Sequence, residues 1–559
     1  MITGIKRTLK AHMGEGVAPV VRLPESESTV QITIDGHELH IPSGATVMEA
    51  ALSNGIFIPH FCYHPGLGPE GNCRMCLVEI EGRPKLEPSC IIPVCRDMVV
   101  NTCSADVVEA RRGVMEFLLL NHPLDCPWCD KAGECMLQDH SYNYGSGETR
   151  HRMHKRTSPV KDFGPKLKMY SNRCIQCTRC VRFLAEVEGG EEFSLFGRSA
   201  DVDVGTYIRH NLTNNYQGCL ADVCPVGALV TKPFLYSARV FYLESQPSVC
   251  PICSTGCSIF VDRYQNRIVR IRPRPNLEVN EWWMCDTGRF ETGWIEEGRV
   301  DTPMLGSEIG LRQCGWDTAL DTASKALKSA DGGQLGGIVW AGASCEEIHL
   351  FTKLLRALGG IISPWYGPDG RIDPAAKEDF LRRKDPNPNT RGLEAIASDL
   401  MDLEHLLGRI DSGEVASLIV LGTVMDEAVA ARLSNLDQLI VISSHHCPVG
   451  DASDVLLPGT VWVEKAGTFL NGEGHLQRFS QVLDIKTAAR ADVSILSALI
   501  DRCGLGPQNE DPAAVYEEIT RQPGPFKGLA WGQIPPGGRR LDLKLPASEP
   551  GTAGREGAE

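Results

Sequence analysis

The sequence has no long apolar run and little clustered positive charge, which argues against a membrane-spanning or nucleic-acid-binding protein. No stretch of its 559 residues approaches the roughly 20 apolar residues that a membrane-spanning helix needs. Lys6, Arg7 and Lys10 are not followed by an apolar run, so we expect no secretory signal. The net charge of −15 disfavours binding to phosphate backbones. We therefore expect a soluble chain in a reducing compartment, free to dock on a membrane assembly.

Signatures for catalysis by this chain alone are also missing. No G-x-G-x-x-G fingerprint follows a strand, and no nucleophile–base constellation stands out. We therefore expect this chain to bind no dinucleotide or flavin by itself.

Cysteine is abundant. The chain has 22 cysteines, yet it is far too long for a small disulfide scaffold. Fifteen of them, with one histidine, fall into four sets in the first half of the chain, at a density that iron–sulfur clusters require. The first set is Cys62, Cys73, Cys76 and Cys90; the second is His122, Cys126, Cys129 and Cys135; the third is Cys174, Cys177, Cys180 and Cys224; the fourth is Cys250, Cys253, Cys257 and Cys285.

The first set follows a pattern typical of a β-grasp ferredoxin domain. Residues 30–34 alternate apolar and polar, Asp35-Gly36 predicts a hairpin turn, and residues 37–41 form the return strand. Thr46 and Glu49 form a capping box for a helix that stops at residues 54–55. Two further cysteines lie outside the set, and we predict them to behave as ordinary small buried residues: Cys95 and Cys103.

The second set is compatible with two kinds of metal centre, whereas the third favours one. Three cysteines and one histidine also suit zinc, so ligand chemistry alone leaves zinc and a [4Fe–4S] cluster open for the second set. The neighbouring sets favour the cluster. In the third set, three cysteines at successive i+3 steps favour a [4Fe–4S] cluster over paired zinc knuckles. Cys219 competes with Cys224 for its fourth position, and the adjacent Pro225 favours Cys224.

Beyond the fourth set, the sequence predicts an α/β region. Short apolar strands at 337–341, 418–421 and 439–442 alternate with helical patterns at 346–358 and 427–433. Such alternation indicates a parallel, doubly wound sheet. The sequence of residues 364–392 predicts a long loop excursion, and the composition from about residue 535 onward predicts a disordered tail.

Several motifs give the chain a family resemblance. They include residues 121–126 (Asn-His-Pro-Leu-Asp-Cys), 133–135 (Gly-Glu-Cys), 172–183 (Asn-Arg-Cys-Ile-Gln-Cys-Thr-Arg-Cys-Val-Arg-Phe), 222–229 (Asp-Val-Cys-Pro-Val-Gly-Ala-Leu) and 467–473 (Gly-Thr-Phe-Leu-Asn-Gly-Glu). With them the chain resembles the large iron–sulfur subunit of the NADH:quinone oxidoreductase family, respiratory complex I. The family often has a cysteine where this chain has Leu184, which is outside the four sets.

The resemblance implies cofactors, partners and a location. The first set would hold one [2Fe–2S] cluster and the other sets one [4Fe–4S] cluster each. Electrons would arrive through a flavin- and NADH-binding subunit, with a thioredoxin-like [2Fe–2S] subunit nearby, and leave toward quinone-site subunits. NADH, FMN and quinone would be bound by those partners. The chain would lie in the peripheral arm, on the cytoplasmic face of the inner (plasma) membrane. The fourth cluster would stabilise the fold rather than carry current.

The C-terminal half resembles a reduced molybdopterin-oxidoreductase fold. Residues 359–415 contain no cysteine, and Ser363, Ser398 and Ser412 lack a recognisable catalytic setting, so we expect no molybdenum cofactor. His445, His446 and Cys447 cluster in sequence without the supporting ligands that a metal site needs.

Two other functions stay open. One is an electron-transfer subunit of a soluble NAD-linked hydrogenase or formate dehydrogenase, and the other is a zinc scaffold with no redox role. Genome neighbours that encode antiporter-like membrane subunits would favour complex I over a soluble hydrogenase or formate dehydrogenase. A brown colour would exclude the second.

These patterns predict the domain organisation. It comprises an N-terminal extension (1–28), a [2Fe–2S] β-grasp domain (29–112), a [4Fe–4S] domain with two clusters (113–245), a further [4Fe–4S] domain (246–302), an α/β molybdopterin-oxidoreductase-like domain (303–534) and a tail (535–559).

Overall fold

The computed structural model describes residues 20–207, 210–308, 310–330, 333–367, 378–433 and 436–543. Its contacts divide the chain into two units. The first contains Met1–Ser245 and Arg274–Asp286, and the second contains Gln246–Pro273 and Thr287–Glu559. The expected N-terminal extension lies largely outside the described residues.

The first unit opens with the predicted β-grasp fold. Its elements are β1 (Thr29–Ile34), β2 (His37–Pro42), α1 (Val47–Ser53), β3 (Leu77–Ile80), β4 (Glu87–Pro88) and β5 (Met98–Asn101). The sheet order is β2-β1-β5-β3-β4, and β1 runs parallel to β5 while the other pairs are antiparallel. Asp35 and Gly36 both have positive φ, at 49° and 81°, as a tight hairpin requires. The capping box is confirmed, because Thr46 and Glu49 each accept the other's backbone N–H.

The rest of the first unit is built from short elements around long loops. They are α2 (Ala105–Asn121), α3 (Met136–Tyr144), β6 (Val160–Asp162), β7 (Leu167–Tyr170), α4 (Arg179–Phe183), β8 (Phe193–Phe196), β9 (Asp203–Thr206), α5 (Gln217–Val223) and β10 (Leu229–Thr231). Strands β10, β7 and β6 form one antiparallel sheet, and β8 pairs with β9. Helix α4 continues into a π-helical turn at Leu184–Glu188.

The remaining part of the chain builds a three-stranded sheet and then an α/β domain. The elements are β11 (Glu244–Val249), β12 (Ser258–Tyr264), β13 (Arg267–Pro273), α6 (Asp286–Phe290), β14 (Met304–Ser307), β15 (Gly310–Gln313), α7 (Trp316–Ser329), β16 (Leu335–Trp340), α8 (Cys345–Ala357), β17 (Ile361–Trp365), α9 (Thr390–Ile396), α10 (Leu403–Asp411), β18 (Ser417–Leu421), α11 (Glu427–Leu433), β19 (Gln438–Ser443), α12 (Pro448–Asp451), β20 (Val455–Pro458), β21 (Gly467–Leu470), β22 (His475–Phe479), α13 (Asp492–Arg502), α14 (Pro512–Arg521) and β23 (Arg539–Arg540).

The large sheet is doubly wound, as predicted. Its order is β15-β14-β20-β19-β18-β16-β17, with the five strands from β20 to β17 parallel. One face packs on α7, α8, α13 and α14, and the other packs on α10 and α11. Gly337 allows α8 to approach β16, since a Cβ there would lie 2.5 Å from the side chain of Leu355. The predicted strands and helices in this region are confirmed.

Three expectations need correction or restriction. Cys95 and Cys103 are exposed rather than buried, because both lie in turns that flank β5. The disorder expected from residue 535 is wrong for residues 535–543, since β23 pairs with the free edge of β22. Within the expected excursion, residues 368–377 lie outside the described residues. Among the residues described, no helix is both long and apolar enough to cross a bilayer.

Candidate iron–sulfur sites

The loops between α1 and β5 bring the four cysteines of the first set together. Cys62, Cys76 and Cys90 are buried, and the Sγ atoms of Cys62 and Cys73 lie 3.4 Å apart. Hydrogen bonding from Cys73 and then Cys90 holds the pKa of Cys62 well below its ordinary value, and Cys90 lowers the pKa of Cys76 to about 7. The same hydrogen bonds raise the pKa of Cys73 and Cys90, so two of the thiols donate to the two that ionise more easily. The four converging sulfurs form a donor set that suits a cluster.

The second set is arranged around the end of α2 and the start of α3. His122 is the C-terminal cap residue of α2, and Cys135 immediately precedes α3. Cys129 and Cys135 are buried, whereas Cys126 is exposed. Arg239 fixes the loop by donating to the carbonyl oxygens of Cys126 and Pro127 at 3.1 and 3.0 Å.

The imidazole of His122 has the properties of a metal ligand. Its Nδ1 atom is buried and has no hydrogen-bond partner among the residues that the structure describes. Burial lowers its pKa to about 4, and the charges of Lys155 and Arg173 act in the same direction. The ring is therefore neutral at physiological pH, which is the form that binds metals. A bound iron would satisfy a polar atom that is otherwise costly to bury.

The third set combines the start of α4 with the end of α5. Thr178, between Cys177 and Cys180, has a φ of 64°, which turns the chain into α4. The pKa of Cys177 is raised to about 11, mainly by burial; the charge of Arg179 opposes this shift and that of Cys224 adds to it. The charge of Cys224 also raises the pKa of Cys174 and of Cys180, so the four sulfurs are neighbours.

The structure favours Cys224 over its rival. Cys219 lies on α5 with its Sγ donating to the carbonyl oxygen of Met284 at 3.2 Å. Cys224 is the C-terminal cap residue of the same helix and lies beside the other members of the third set. The assignment of individual iron ligands stays a prediction.

The chain that follows Cys224 connects the third set to the second. The backbone N–H of Met136 donates to the carbonyl oxygen of Pro225 at 3.2 Å, and Cys135 Sγ lies 4.0 Å from the same oxygen. Gly227 lies against Cys129, since a Cβ at Gly227 would be 2.1 Å from the Cys129 Sγ. The second and third sets are therefore direct neighbours.

Two buried arginines of α4 connect the third set to the first. Arg182 donates to the carbonyl oxygens of Cys62 and Gly68, and Arg179 donates to that of Tyr63. Glu186 accepts the Gly68 N–H at 2.7 Å and so holds the same loop. Neither arginine was predicted as a site residue from the sequence, although their interleaving with cysteines at 177–182 was visible.

The fourth set is divided between the two units. Cys250, Cys253 and Cys257 belong to the second unit, and Cys285 belongs to the first. All four are buried. The backbone N–H of Cys250 donates to the carbonyl oxygen of Cys257 at 2.9 Å, which closes the loop that carries these three cysteines. Their joint assignment rests on sequence spacing.

The side chains at 445–447 each have partners within the protein. His445 interacts with Ser444 and with the carbonyl oxygen of Trp294, and His446 lies 2.9 Å from Asp451. Cys447 accepts the backbone N–H of Gly450 as a helix cap. Across the described residues, no group of three His, Cys, Asp or Glu side chains suits a single metal ion.

A buried acidic cluster occupies the core between α8 and β21. Glu346 accepts the backbone N–H and the hydroxyl of Thr468 at 2.9 and 2.7 Å. The adjacent Glu347 pairs with Lys465 at 2.7 Å, and Lys465 pairs with Asp492 at 2.8 Å. Glu346 has no cation of its own among these contacts, and burial raises its pKa to about 7.

Replacing Glu346 with glutamine is expected to flatten the pH dependence of stability. A carboxyl whose pKa is raised on folding contributes fully below its unfolded value of about 4.5, and that contribution is lost as pH rises through about 7. Glu346→Gln should therefore exceed the wild type in free energy of unfolding above pH 7, by up to about 3 kcal/mol. Urea unfolding from pH 5 to 8 measures this difference. Glu347→Gln is the control: burial raises the pKa of Glu347 too, but its carboxylate pairs with Lys465 at 2.7 Å, so the variant should lower the free energy of unfolding near neutral pH. Parallel curves for wild type and Glu346→Gln would contradict the prediction.

Family models match most of the chain, and each cysteine set lies inside one match. The matches are a 2Fe-2S iron-sulfur cluster binding domain (27–105), an NADH-ubiquinone oxidoreductase-G iron-sulfur binding region (111–150), the ferredoxin-like domain of NADH-quinone oxidoreductase subunit 3 (164–230), a molybdopterin oxidoreductase Fe4S4 domain (243–295) and molybdopterin oxidoreductase itself (299–405 and 402–502). The chain therefore carries 2Fe-2S and 4Fe-4S binding domains.

Named relatives agree with these models. An NADH-quinone oxidoreductase subunit of Rickettsia conorii is 40% identical over 330 residues, which cover 59% of this chain and 49% of the relative. NADH dehydrogenase [ubiquinone] iron-sulfur protein 1 of Solanum tuberosum is 39% identical over 340 residues, which cover 61% and 46%. The NADH-ubiquinone oxidoreductase 78 kDa subunit of Candida albicans is 41% identical over 336 residues, which cover 59% and 46%. The match thus spans about half the length of these relatives.

One solved structure is also similar in sequence. A chain of an NAD+-reducing [NiFe]-hydrogenase is 31% identical and covers 38% of this chain and 91% of its own, with a TM-score of 0.34. This superposition is too poor to bear on function. The family models and the relatives agree on one assignment. Over 59–61% of its length, the chain is similar to subunits of NADH-quinone and NADH-ubiquinone oxidoreductases, and it shares their iron–sulfur binding region at 111–150.

Proposed function

We propose that this chain is an electron-transfer subunit of NADH:quinone oxidoreductase, relaying electrons from the NADH- and flavin-binding subunit toward the quinone-site subunits. The observation that carries the proposal is the succession of three adjoining sets of candidate ligands in one unit, most of them buried. The first adjoins the third through Arg179 and Arg182, and the third adjoins the second through Gly227. Neighbouring clusters in such an order would provide a continuous path for single electrons.

The proposed cofactors follow the four sets. One [2Fe–2S] cluster would be held by the first set and one [4Fe–4S] cluster by each of the others, with every cysteine binding as thiolate and His122 as imidazole. A cluster supplies one-electron redox chemistry, while the protein fixes its position and surrounds it with charges and hydrogen bonds that set its potential. The C-terminal α/β region would carry no molybdenum. The domain boundaries predicted from the sequence are part of this proposal.

The proposed partners are those of the family. They are the flavin subunit, a thioredoxin-like [2Fe–2S] subunit and the quinone-site subunits, in the peripheral arm at the cytoplasmic face of the membrane. NADH, FMN and quinone would be bound by those partners, and contact with the membrane would occur only through the complex.

Metal analysis of the anaerobically purified full chain tests the proposal. We expect roughly 14 iron atoms per chain, with zinc and molybdenum near zero and electron paramagnetic resonance signals that develop on reduction. Roughly 10 iron atoms with one zinc would make the second set structural. Stoichiometric molybdenum would make the α/β region catalytic. A colourless chain with zinc in every set would overturn the proposal.

Replacing His122 with cysteine tests the second cluster specifically. An anionic thiolate in place of neutral imidazole adds negative charge to the cluster, so the midpoint potential of this centre should fall while the others hold. The ratio of reduced to oxidised cluster at fixed potential should drop at least tenfold, which corresponds to about 59 mV for one electron. An anaerobic redox titration measures this. Unchanged midpoints for all centres would show that His122 is not a ligand.

A further inference from the structure

Arg179 occupies an unusual position between the first and third sets. It lies between Cys177 and Cys180 in sequence, and its residue is 5% exposed. One end of its guanidinium donates to the carbonyl oxygen of Tyr63, the residue after Cys62. The other end donates to the carbonyl oxygen of Val223, the residue before Cys224, at 3.3 Å. A single side chain thus contacts backbone beside a member of each set.

The charge of Arg179 is not balanced by a carboxylate. In the described part of the chain, no aspartate or glutamate pairs with it, and its Nε atom is buried without a hydrogen-bond partner. The neighbouring Arg182 does have such a partner, because the carboxylate of Glu70 lies 3.7 Å from its guanidinium. The groups that would attract Arg179 once they are thiolates are the sulfurs of Cys177, Cys62 and Cys73. A buried and unpaired charge is costly, so its partner should be part of the working protein.

Iron–sulfur clusters would supply that partner. A cluster with four thiolate ligands is an anion, and its potential depends on net charge and on nearby hydrogen bonds. On reduction it takes up one electron from a low-potential donor, one iron passes from ferric to ferrous, and the cluster gains one negative charge. A fixed cation beside the cluster stabilises the reduced state more than the oxidised state, because attraction grows with the added charge.

We propose that Arg179 is the shared counter-cation of the first and third clusters and holds the potentials of both above the values they would otherwise have. This inference rests on the proposed electron-transfer function. Arg179 acts on both centres because its guanidinium spans the distance between the carbonyl oxygens of Tyr63 and Val223. Arg182 anchors the loop of the first set through Cys62 and Gly68.

Redox titrations of the full chain, followed by electron paramagnetic resonance, test this role. In Arg179→Gln we expect the ratio of reduced to oxidised cluster at fixed potential to fall at least tenfold for both the first and the third centre, which is about 59 mV each. Arg274→Gln is the matched control, since Arg274 is a buried arginine of the same unit whose pKa is lowered by burial alone. It should leave both midpoints unchanged.

A lysine variant separates charge from structure. The ammonium of Arg179→Lys keeps the charge but is a compact point, so it can lie beside only one of the two carbonyl oxygens. One midpoint should hold and the other should fall. This variant decides the question if Arg179→Gln fails to accumulate.

The outcomes distinguish this inference from the proposed function. Unchanged midpoints in Arg179→Gln with full iron content, two unchanged midpoints in Arg179→Lys, or equal shifts in Arg274→Gln would overturn the role of Arg179 alone. A wild-type chain without reducible clusters would overturn the electron-transfer function itself.

Discussion

Replacing Cys224 with serine is expected to remove the third cluster and about four iron atoms per chain. Cys224 is buried at the end of α5, and its charge raises the pKa of Cys174, Cys177 and Cys180. Serine has the same shape, but its hydroxyl is a poor replacement for a thiolate toward iron. The remaining three cysteines would leave one iron without a protein ligand. Iron analysis and the loss of one reduced-state resonance signal measure the effect.

Cys219→Ser provides a close control for Cys224→Ser. Cys219 lies on the same helix and is fully buried, but its Sγ donates to the carbonyl oxygen of Met284 at 3.2 Å. A serine hydroxyl can make the same hydrogen bond, so iron content and all resonance signals should match the wild type. Loss of iron in Cys219→Ser with retention in Cys224→Ser would reverse the assignment. Equal loss in both would show that the helix, rather than either ligand, had been disturbed.

Local features of the fold were predictable from the sequence because local chemistry determines them. The hairpin at Asp35-Gly36 needs positive φ at both positions, and the capping box needs only Thr46 and Glu49. The strands of the large sheet are runs of apolar residues that are buried on both faces. The prediction failed for Cys95 and Cys103 because burial was taken from the average behaviour of cysteine rather than from their positions in turns.

The relation between the sets was not predictable from spacing. Cysteine spacing groups residues into sets, but adjacency of sets depends on contacts between distant parts of the chain. Arg182 and the carbonyl oxygen of Cys62 are 120 residues apart in sequence. Gly227 can lie against Cys129 because it has no side chain, and a single glycine gives no sequence pattern that would predict this contact. Cysteine spacing therefore predicts the membership of each set but not which sets adjoin one another.

Replacing Gly227 with alanine is expected to remove the second cluster while the protein still folds. The new Cβ would lie 2.1 Å from the Sγ of Cys129 and 3.2 Å from the Cβ of Lys131. Without iron, the Cys129 side chain can rotate away about a single bond, so the polypeptide can tolerate the methyl group. With iron bound, the sulfur is fixed and the clash remains. We therefore expect about four fewer iron atoms per chain, with unchanged far-ultraviolet circular dichroism.

Gly113→Ala separates this effect from the general cost of altering a glycine. Gly113 lies inside α2, and a Cβ there meets nothing within 4 Å, so alanine should stabilise the helix by roughly 0.5–1 kcal/mol and leave iron content unchanged. Full iron content in Gly227→Ala would mean that Cys129 is not held by a cluster at this position, and zinc in its place would favour a structural site. Loss of iron from the third set together with the second would instead show that residues 224–228 support both sets, as their contacts with Cys135 and Met136 allow.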